Sequence, residues 1–417
     1  MRVLALEILF WACAALIVWT QVGYAATLAV LARVLPARRT AGAPAGGLDA
    51  RAPAPNASPA QLPELSLIVA AHDEQAVIAQ RVENALRLDY PRERLQVIVA
   101  CDGCEDATAA RAREAGADLV LELARGGKIR AQDAAVERAR GEIVAFSDAN
   151  ALWRADAARE LVRAFEDPRV GYACGRVVYA QAQGGDGGAD GGAGAGDGAG
   201  ARDDARATNQ EGVYWRYELA LRGLESRLSS ITGGNGAIYA TRRDSYMVVD
   251  PVMGHDLSLP FNIVKRGMRA TYVPNAVSSE KMVPSLGGEF ARKRRMASHT
   301  WPIVARGGML SPRGYPLGYA LMIVSHRLLR YATPALHVAA FAANVALVAL
   351  DASVLYLVTL DLQLALLLAA ALGGVLRARV LLIARYYVLT TASLAAGLWD
   401  WLRHGTDATW EAAEGTR

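Results

Sequence analysis

Residues 8–32 form a run of 25 residues without a charged side chain. A helix needs about 20 apolar residues to cross a bilayer, and this run is too long for the apolar region of a signal peptide. It therefore predicts an uncleaved transmembrane helix within residues 1–36. Arg33, Arg38 and Arg39 follow the run, whereas only Arg2 precedes it, so the positive-inside rule puts the following domain in the cytoplasm.

The C-terminal part of the chain is also rich in apolar residues. A short uncharged stretch within residues 311–328 is typical of an amphipathic helix on the membrane surface. Longer apolar stretches predict about three further spans within residues 329–417. Arg377, Arg379 and Arg385 predict a basic cytoplasmic turn between the last two spans. We therefore expect a multi-pass protein of the cytoplasmic membrane with a soluble domain between its anchors.

The segment between these anchors alternates strand and helix patterns. Residues 37–63 are rich in Ala, Gly and Pro and indicate a linker, which leaves 64–310 as the soluble domain. Leu65–Ala71, Leu95–Ala100 and Ile143–Phe146 are short, mostly apolar runs typical of buried strands, and Leu119–Leu123 is predicted as a further short strand. Helical spacing between them predicts an α/β domain with a mostly parallel sheet and right-handed crossovers.

One tract inside the domain has a different composition. Residues 183–205 consist mainly of Gly, Asp and Ala, and so few large apolar side chains cannot offset the entropy of ordering. We interpret the tract as a disordered insertion, with an acidic metal-binding loop as the alternative.

Charge and cysteine content exclude several classes of protein. The net charge is only +4, and the absence of a dense basic tract with interleaved aromatic residues argues against nucleic-acid binding. Four cysteines, at positions 13, 101, 104 and 174, form no disulfide framework. Cys101 and Cys104 have the spacing of a redox or zinc motif, but no second pair completes a site. We interpret them as small residues in a turn after a strand.

Polar residues follow the predicted strands where each one ends. His72, Asp73 and Glu74 follow the first, Asp102 ends the second, and Asp148 and Asn150 end the strand that begins at Ile143. The carboxyl ends of parallel strands form the ligand crevice of open α/β sheets. Oxygen ligands at such a turn can hold Mg²⁺ or Mn²⁺, although an Asp after a strand can equally cap a helix.

The order and spacing of these motifs resemble the membrane-bound family 2 glycosyltransferases of bacteria, whose catalytic domain has the GT-A fold. The resemblance extends over residues 65–299 and the membrane arrangement. It departs from the family pattern at Asn150, at His255 beside Asp256, and at a Q-x-x-R-W motif that keeps only its Arg. The segments that carry the resemblance are Ala71–Glu74, Cys101–Thr108, Arg125–Lys128, Asp148–Asn150, Tyr214–Glu218, Gly236–Tyr239, His255–Asp256 and Arg292–Met296.

This resemblance implies a role for each matching residue. Asp256 would be the general base, and Trp215, Tyr217 and Gly236 would contact the acceptor. Asp148 and Asn150 would also hold the metal ion, Mg²⁺ or Mn²⁺. The residues expected to bind a UDP- or GDP-sugar donor are Glu74, Asp102, Lys128, Asp148, Asn150 and Arg295.

Five of these residues also have a structural interpretation. Asp256 could cap a helix, Lys128 could be a solvated lysine, Trp215 and Tyr217 could pack in a core, and Arg295 could face anionic lipid.

The resemblance implies an inverting hexosyltransferase that uses a lipid-linked or polysaccharide acceptor to build cell-envelope glycans. It would act at the cytoplasmic face of the bacterial inner membrane, in contact with membrane lipids. The main alternative is a catalytically inactive, glycosyltransferase-like scaffold, for which Asn150 and His255 are the evidence. A transporter is disfavoured because the predicted spans carry few charges.

Overall fold

The computed structural model describes residues 2–35, 62–180, 215–281, 286–351, 353–376 and 378–408. Helix α1, Arg2–Val34, precedes the soluble domain. The linker predicted at 37–63 lies outside the described residues except for its last two, and the insertion predicted at 183–205 lies entirely outside them.

The soluble domain alternates strands and helices in its first half and is richer in strands afterwards. Its elements in the described residues are β1 Leu65–Ala71, α2 Ile78–Leu86, β2 Leu95–Asp102, α3 Thr108–Glu114, β3 Leu119–Leu123, α4 Lys128–Arg138, β4 Ile143–Asp148, β5 Leu152–Trp153, α5 Ala157–Arg163, β6 Val170–Ala180, α6 at residues 215–228, β7 Tyr239–Arg242, α7 His255–Lys265, β8 Arg269–Lys281 and α8 Leu286–Ala305.

These strands form one sheet in the order β3-β2-β1-β4-β7-β6-β8-β5. The continuous apolar runs of β1 and β2 are buried along their whole length, as expected for parallel strands covered on both faces. Strand β1 pairs in parallel with β2 on one side and with β4 on the other. Strands β2 and β3 lie on one side of β1 and β4 lies on the other, so the order in which the strands are added reverses between β1 and β4. Such a switch point is where α/β sheets bind ligands. The register places Asp148 opposite Ala70, directly at this point.

The second half of the sheet was only partly predicted. Strand β7 runs antiparallel to β4 and β6, whereas β6 and β8 pair in parallel with register shifts. The pattern analysis identified neither β6 nor β5, and it ended the β8 strand at Pro274. Pairing with β6 continues β8 through Lys281, because a strand with a partner on each side does not need a continuous apolar run.

Four helices are long and apolar enough to cross a membrane among the described residues. They are α1, α9 Leu317–Leu350, α10 Val354–Leu372 and α11 Arg379–His404.

The prediction of a separate surface helix at 311–328 is wrong, because helix α9 continues through residue 328 with a wider π-helical turn at Ile323–Leu328. Within α9, Arg327 donates a hydrogen bond to Thr232 and Arg330 forms an ion pair with Glu218 of the domain. The predicted basic turn is also corrected, since Arg379 begins α11 and Arg385 lies inside it.

The apolar helices pack directly against the soluble domain. The Tyr24 hydroxyl of α1 donates to Glu225 Oε1 of α6 at 2.8 Å, and Trp19 Nε1 donates to Ser325 Oγ of α9 at 3.1 Å. On the other side, Arg294 of α8 forms an ion pair with Asp400 of α11. The Tyr24 and Arg294 contacts attach the soluble domain to α1 and α11, and the Trp19 contact joins α1 to α9.

Candidate active site

The site begins at the carboxyl end of β4. Asp148 is the last residue of that strand, and Lys128 is the first residue of α4. Their side chains form an ion pair. Burial lowers the pKa of Lys128, but the ion pair with Asp148 and the fields of Asp256 and Glu280 outweigh that effect and raise it. Lys128 therefore stays charged beside a cluster of carboxylates.

A glycine-rich loop at residues 232–236 lies over this ion pair. A Cβ atom at Gly236 would lie 3.2 Å from Lys128 Nζ and 3.5 Å from Asp148 Oδ2, so the backbone of the loop lies directly against the ion pair and a side chain here would crowd Lys128. At the other end of the loop, the Gly234 amide donates to the Asp256 carbonyl oxygen at 2.6 Å. The loop thus joins Asp148 and Lys128 to Asp256.

Asp256 lies in the first turn of α7. The position before the helix is Gly254, and no side chain caps the helix there, so the capping interpretation of Asp256 is not supported. Its half-buried carboxylate lines the same cavity as Asp148 and Lys128. This is the position from which a carboxylate can accept a proton from a bound hydroxyl group.

His255 points into an aromatic cluster below the site. Its Nδ1 lies 3.0 Å from the Tyr239 hydroxyl and its Nε2 lies 3.3 Å from the Tyr246 hydroxyl. Burial and the positive charge of Lys128 lower the pKa of His255 to about 3. His255 is therefore a neutral, hydrogen-bonded core residue. Its presence beside Asp256 is explained by this packing and gives little support to the interpretation as an inactive protein.

Because His255 is neutral in the folded protein, we predict that the free energy of unfolding decreases in acid. The folded pKa lies below the unfolded value of about 6.5, so the unfolded state binds a proton that the folded state excludes. The free energy of unfolding should fall by about 2 kcal/mol between pH 7 and pH 5 on account of this one group. Urea unfolding of detergent-purified protein measures it: His255→Asn should be less stable at pH 7 but lose about 2 kcal/mol less on acidification. Equal pH slopes in the two proteins would contradict this.

Three of the predicted donor-binding residues lie away from the cavity. Asp102 is buried, and its carboxylate accepts the amides of Gly126 and Gly127 at distances from 2.6 to 3.0 Å. It thereby holds the turn before Lys128, at which Gly127 has a positive φ of 95°. Glu74 is also buried, and its backbone amide donates to Thr108. Neither of them nor Asn150 is among the residues that line the cavity.

Glu280 is a site residue that the sequence analysis missed. The ladder between β5 and β8 pairs Leu152 with Ser279, so Glu280 lies beside the turn that follows Asp148. Burial and the negative charge of Asp148 raise the pKa of Glu280 to about 7, against the opposing effect of Lys128. The only signal in the sequence was its position in β8, a strand that was predicted too short.

A cavity of about 1400 Å³ extends from this cluster to the apolar helices. Arg295 of α8 lines it, as do Trp215 and Tyr217 of α6. The two aromatic residues also support the fold. Trp215 Nε1 donates to the Val177 carbonyl oxygen at 2.8 Å, and the Tyr217 hydroxyl donates to the Gln21 carbonyl oxygen at 3.0 Å. The remaining wall includes residues of α9 and α11, namely Arg327, Arg330, Tyr331, Leu382, Tyr386, Tyr387 and Leu394.

Cys101 and Cys104 are close enough to interact after β2. Cys101 is buried and Cys104 is half-buried. A hydrogen bond with Cys101 lowers the pKa of the Cys104 thiol, despite partial burial.

The fold and the site together define a GT-A glycosyltransferase domain, as predicted. Among solved structures, a mannosyltransferase from Pyrobaculum calidifontis in complex with GDP-Man and Mn²⁺ superposes with a TM-score of 0.67. That comparison covers 95% of this chain and 99% of the other, at 23% identity, and it establishes likeness of fold.

A match of the sequence to a family model shows the family. Residues 63–298, more than half of the chain, match the model described as glycosyltransferase like family 2, and the chain belongs to this family. It is 34% identical over 129 residues to the beta-monoglucosyldiacylglycerol synthase of Trichormus variabilis (strain ATCC 29413 / PCC 7937), a match over 29% of this chain and 28% of that relative. An N-acetylglucosaminyltransferase of Rhizobium sp. (strain N33) is 22% identical over 258 residues, 57% of this chain and 53% of that protein. The chain therefore spans only part of the length of these relatives.

Proposed function

We propose that this protein is an inverting glycosyltransferase, which transfers a hexose from a UDP- or GDP-sugar to an acceptor held at the cytoplasmic face of a membrane. The observation that carries the proposal is the single cavity that contains Asp148, Lys128 and Asp256 and reaches the apolar helices α9 and α11. A carboxylate cluster at the switch point of the sheet suits the charged donor. The apolar helices suit an acceptor that is anchored in the bilayer.

The donor set of the site fits Mg²⁺ or Mn²⁺. Asp148 and Glu280 present hard carboxylate oxygens at the cavity wall, which such cations prefer. These two carboxylates are better placed than Asn150 to hold the cation. A divalent cation held there would neutralise the developing charge of the diphosphate leaving group. The structural relative from Pyrobaculum calidifontis is a complex with GDP-Man and Mn²⁺, which supports the assignment by analogy.

The chemistry is a direct displacement at the anomeric carbon. An acceptor hydroxyl oxygen attacks that carbon, its proton passes to the Asp256 carboxylate, and the bond to the diphosphate oxygen breaks with its electron pair on the nucleotide. Lys128 and Arg295 provide positive charge for the departing diphosphate. Attack from the face opposite the leaving group inverts the anomeric centre.

The wall of the cavity favours a lipid-linked acceptor over a soluble polysaccharide. Helix α11 contributes Leu382, Tyr387 and Leu394 to the wall, and apolar side chains at this place can hold the upper part of a lipid chain. Arg327 and Arg330 line the neighbouring wall from α9, where an anionic or polar headgroup would lie.

Narrowing this part of the cavity tests the acceptor assignment. Leu394→Trp adds a large side chain to the wall, which should raise KM for a lipid acceptor at least about tenfold, or 1.4 kcal/mol. Hydrolysis of the donor in the absence of acceptor should be unchanged, because Leu394 lies on α11, away from the carboxylate cluster.

The assay compares a polyisoprenyl phosphate and diacylglycerol with soluble oligosaccharides as acceptors for detergent-purified protein. Leu368→Trp is the matched control, because Leu368 of α10 is 60% exposed and does not line the cavity. Preference for soluble acceptors, unaffected by Leu394→Trp, would overturn the lipid-acceptor assignment and leave sugar transfer itself standing.

A further inference from the structure

Three side chains with metal-binding chemistry converge outside the active-site cavity. His72 and Asp73 follow β1, and Cys104 follows β2, so the pairing of these two strands brings them together. One ligand atom from each residue lies within 4.8 Å of the others. All three side chains are half-buried, and none of them lines the cavity described above.

The imidazole of His72 has the orientation of a metal ligand. Its Nδ1 lies 2.8 Å from the Asp102 carbonyl oxygen, a contact in which Nδ1–H donates. In the neutral ring Nε2 then carries the lone pair, and it lies 3.5 Å from Asp73 Oδ2. Metal-binding histidines usually donate their second ring N–H to a carbonyl or carboxylate in this way, which fixes the tautomer and the direction of the ring.

Asp73 is held in place by its backbone and by its second carboxylate oxygen. Oδ1 accepts the Glu105 amide at 2.9 Å. Asp73 also has a φ of 50°, the only positive φ of a non-glycine residue among those the structure describes. Such a conformation is unfavourable for a non-glycine residue and is found mainly where the surroundings enforce it, often at functional sites.

We propose that His72 Nε2, an Asp73 carboxylate oxygen and Cys104 Sγ bind one zinc ion, with a fourth position open to water. A thiolate and an imidazole favour Zn²⁺ over Mg²⁺ or Mn²⁺. Tetrahedral zinc with Zn–N of about 2.0 Å and Zn–O of about 2.1 Å places those two ligand atoms roughly 3.3 Å apart, close to the observed separation. On binding, the Cys104 thiol releases its proton to solvent and forms a Zn–S bond.

This assignment is independent of the proposed sugar transfer. The proposed site uses one cysteine of the C-x-x-C pair, Cys104, and its other protein ligands come from the end of the neighbouring strand β1, not from a second cysteine pair. Zinc would join the ends of β1 and β2 beside Asp102, whose carboxylate holds the turn before Lys128. The ion would thus have a structural effect at the edge of the donor site.

Metal titration of the detergent-purified full chain tests the proposal. Zinc affinity is measured by competition with a chromophoric chelator, and Co²⁺ is substituted for zinc to reveal a thiolate-to-cobalt charge-transfer band. We expect one tight zinc ion per chain and a band that zinc abolishes. Cys104→Ser and His72→Gln should each weaken zinc binding at least tenfold and remove or shift the band.

Matched variants separate this site from other metal chemistry. Asp148→Ala should retain the tight zinc ion, because Asp148 belongs to the cavity, and Cys174→Ser should retain it too, because Cys174 is a buried thiol in β6. The absence of a charge-transfer band in the wild type would overturn the proposal without reliance on any variant. A disulfide between Cys101 and Cys104 in protein purified under mild reduction, with no zinc bound, would also overturn it.

Discussion

Asp256→Asn is expected to lower kcat for sugar transfer by about 10²–10⁴, the usual contribution of a positioned general base. The substitution keeps the size of the side chain and the backbone contact between Gly234 and the Asp256 carbonyl, but the amide cannot accept the proton of the acceptor hydroxyl. The KM for the donor should change little. Steady-state kinetics with saturating donor and acceptor measure the effect.

The control for this prediction is Asp244→Asn. Asp244 is an exposed carboxylate in the turn after β7 and does not line the cavity, so its loss should leave kcat within about twofold of the wild type. A wild-type rate in Asp256→Asn, with the inverted product still formed, would assign the base to another group.

Asp148→Ala is expected to abolish metal-dependent donor binding and to lower the rate of transfer about 10³-fold or more. The carboxylate is the strongest candidate for a ligand of the cation, whose charge stabilisation amounts to several kcal/mol, and each 1.36 kcal/mol changes the rate tenfold. Its loss also leaves Lys128 without its ion-pair partner. Donor affinity is measured by calorimetry with and without Mn²⁺.

Two further variants test whether Glu280 or Asn150 contributes more to metal-dependent donor binding. Glu280→Gln should weaken Mn²⁺-dependent donor binding, because Glu280 lines the cavity. Asn150→Ala should affect it less, because Asn150 does not. If Asn150→Ala were as damaging as Asp148→Ala while Glu280→Gln had no effect, the assignment of Glu280 to the metal site would be wrong.

The first half of the fold was predictable because its signals are local. Each buried parallel strand reads as a continuous apolar run, and each one ends at a polar residue, as β4 does at Asp148. The parallel arrangement then forces those ends to one edge of the sheet. The resemblance to family 2 glycosyltransferases assigned Asp148, Lys128, Gly236, Asp256 and Arg295 to one site, and the structure brings them to one cavity.

The remainder depends on partners that are distant in the sequence. Glu280 reaches the site only through the pairing of β8 with β5 and β6. The hydrogen bonds that Asp102 accepts from the amides of Gly126 and Gly127 likewise join residues that are distant in the sequence. The stretch predicted as a surface helix at 311–328 belongs largely to the longer helix α9, from which Arg327 donates to Thr232 and Arg330 forms an ion pair with Glu218 of the domain. Sequence periodicity carries no information about such pairs.

The most direct test of the central proposal is nucleotide release and sugar transfer from a panel of UDP- and GDP-sugars by the detergent-purified full chain. The assays contain Mg²⁺ or Mn²⁺ and a lipid acceptor, and they compare the wild type with Asp256→Asn and Asp148→Ala. We predict metal-dependent transfer from one donor with inversion at the anomeric carbon, lost in both variants. Failure of the wild-type protein to bind any nucleotide sugar of the panel would contradict the account.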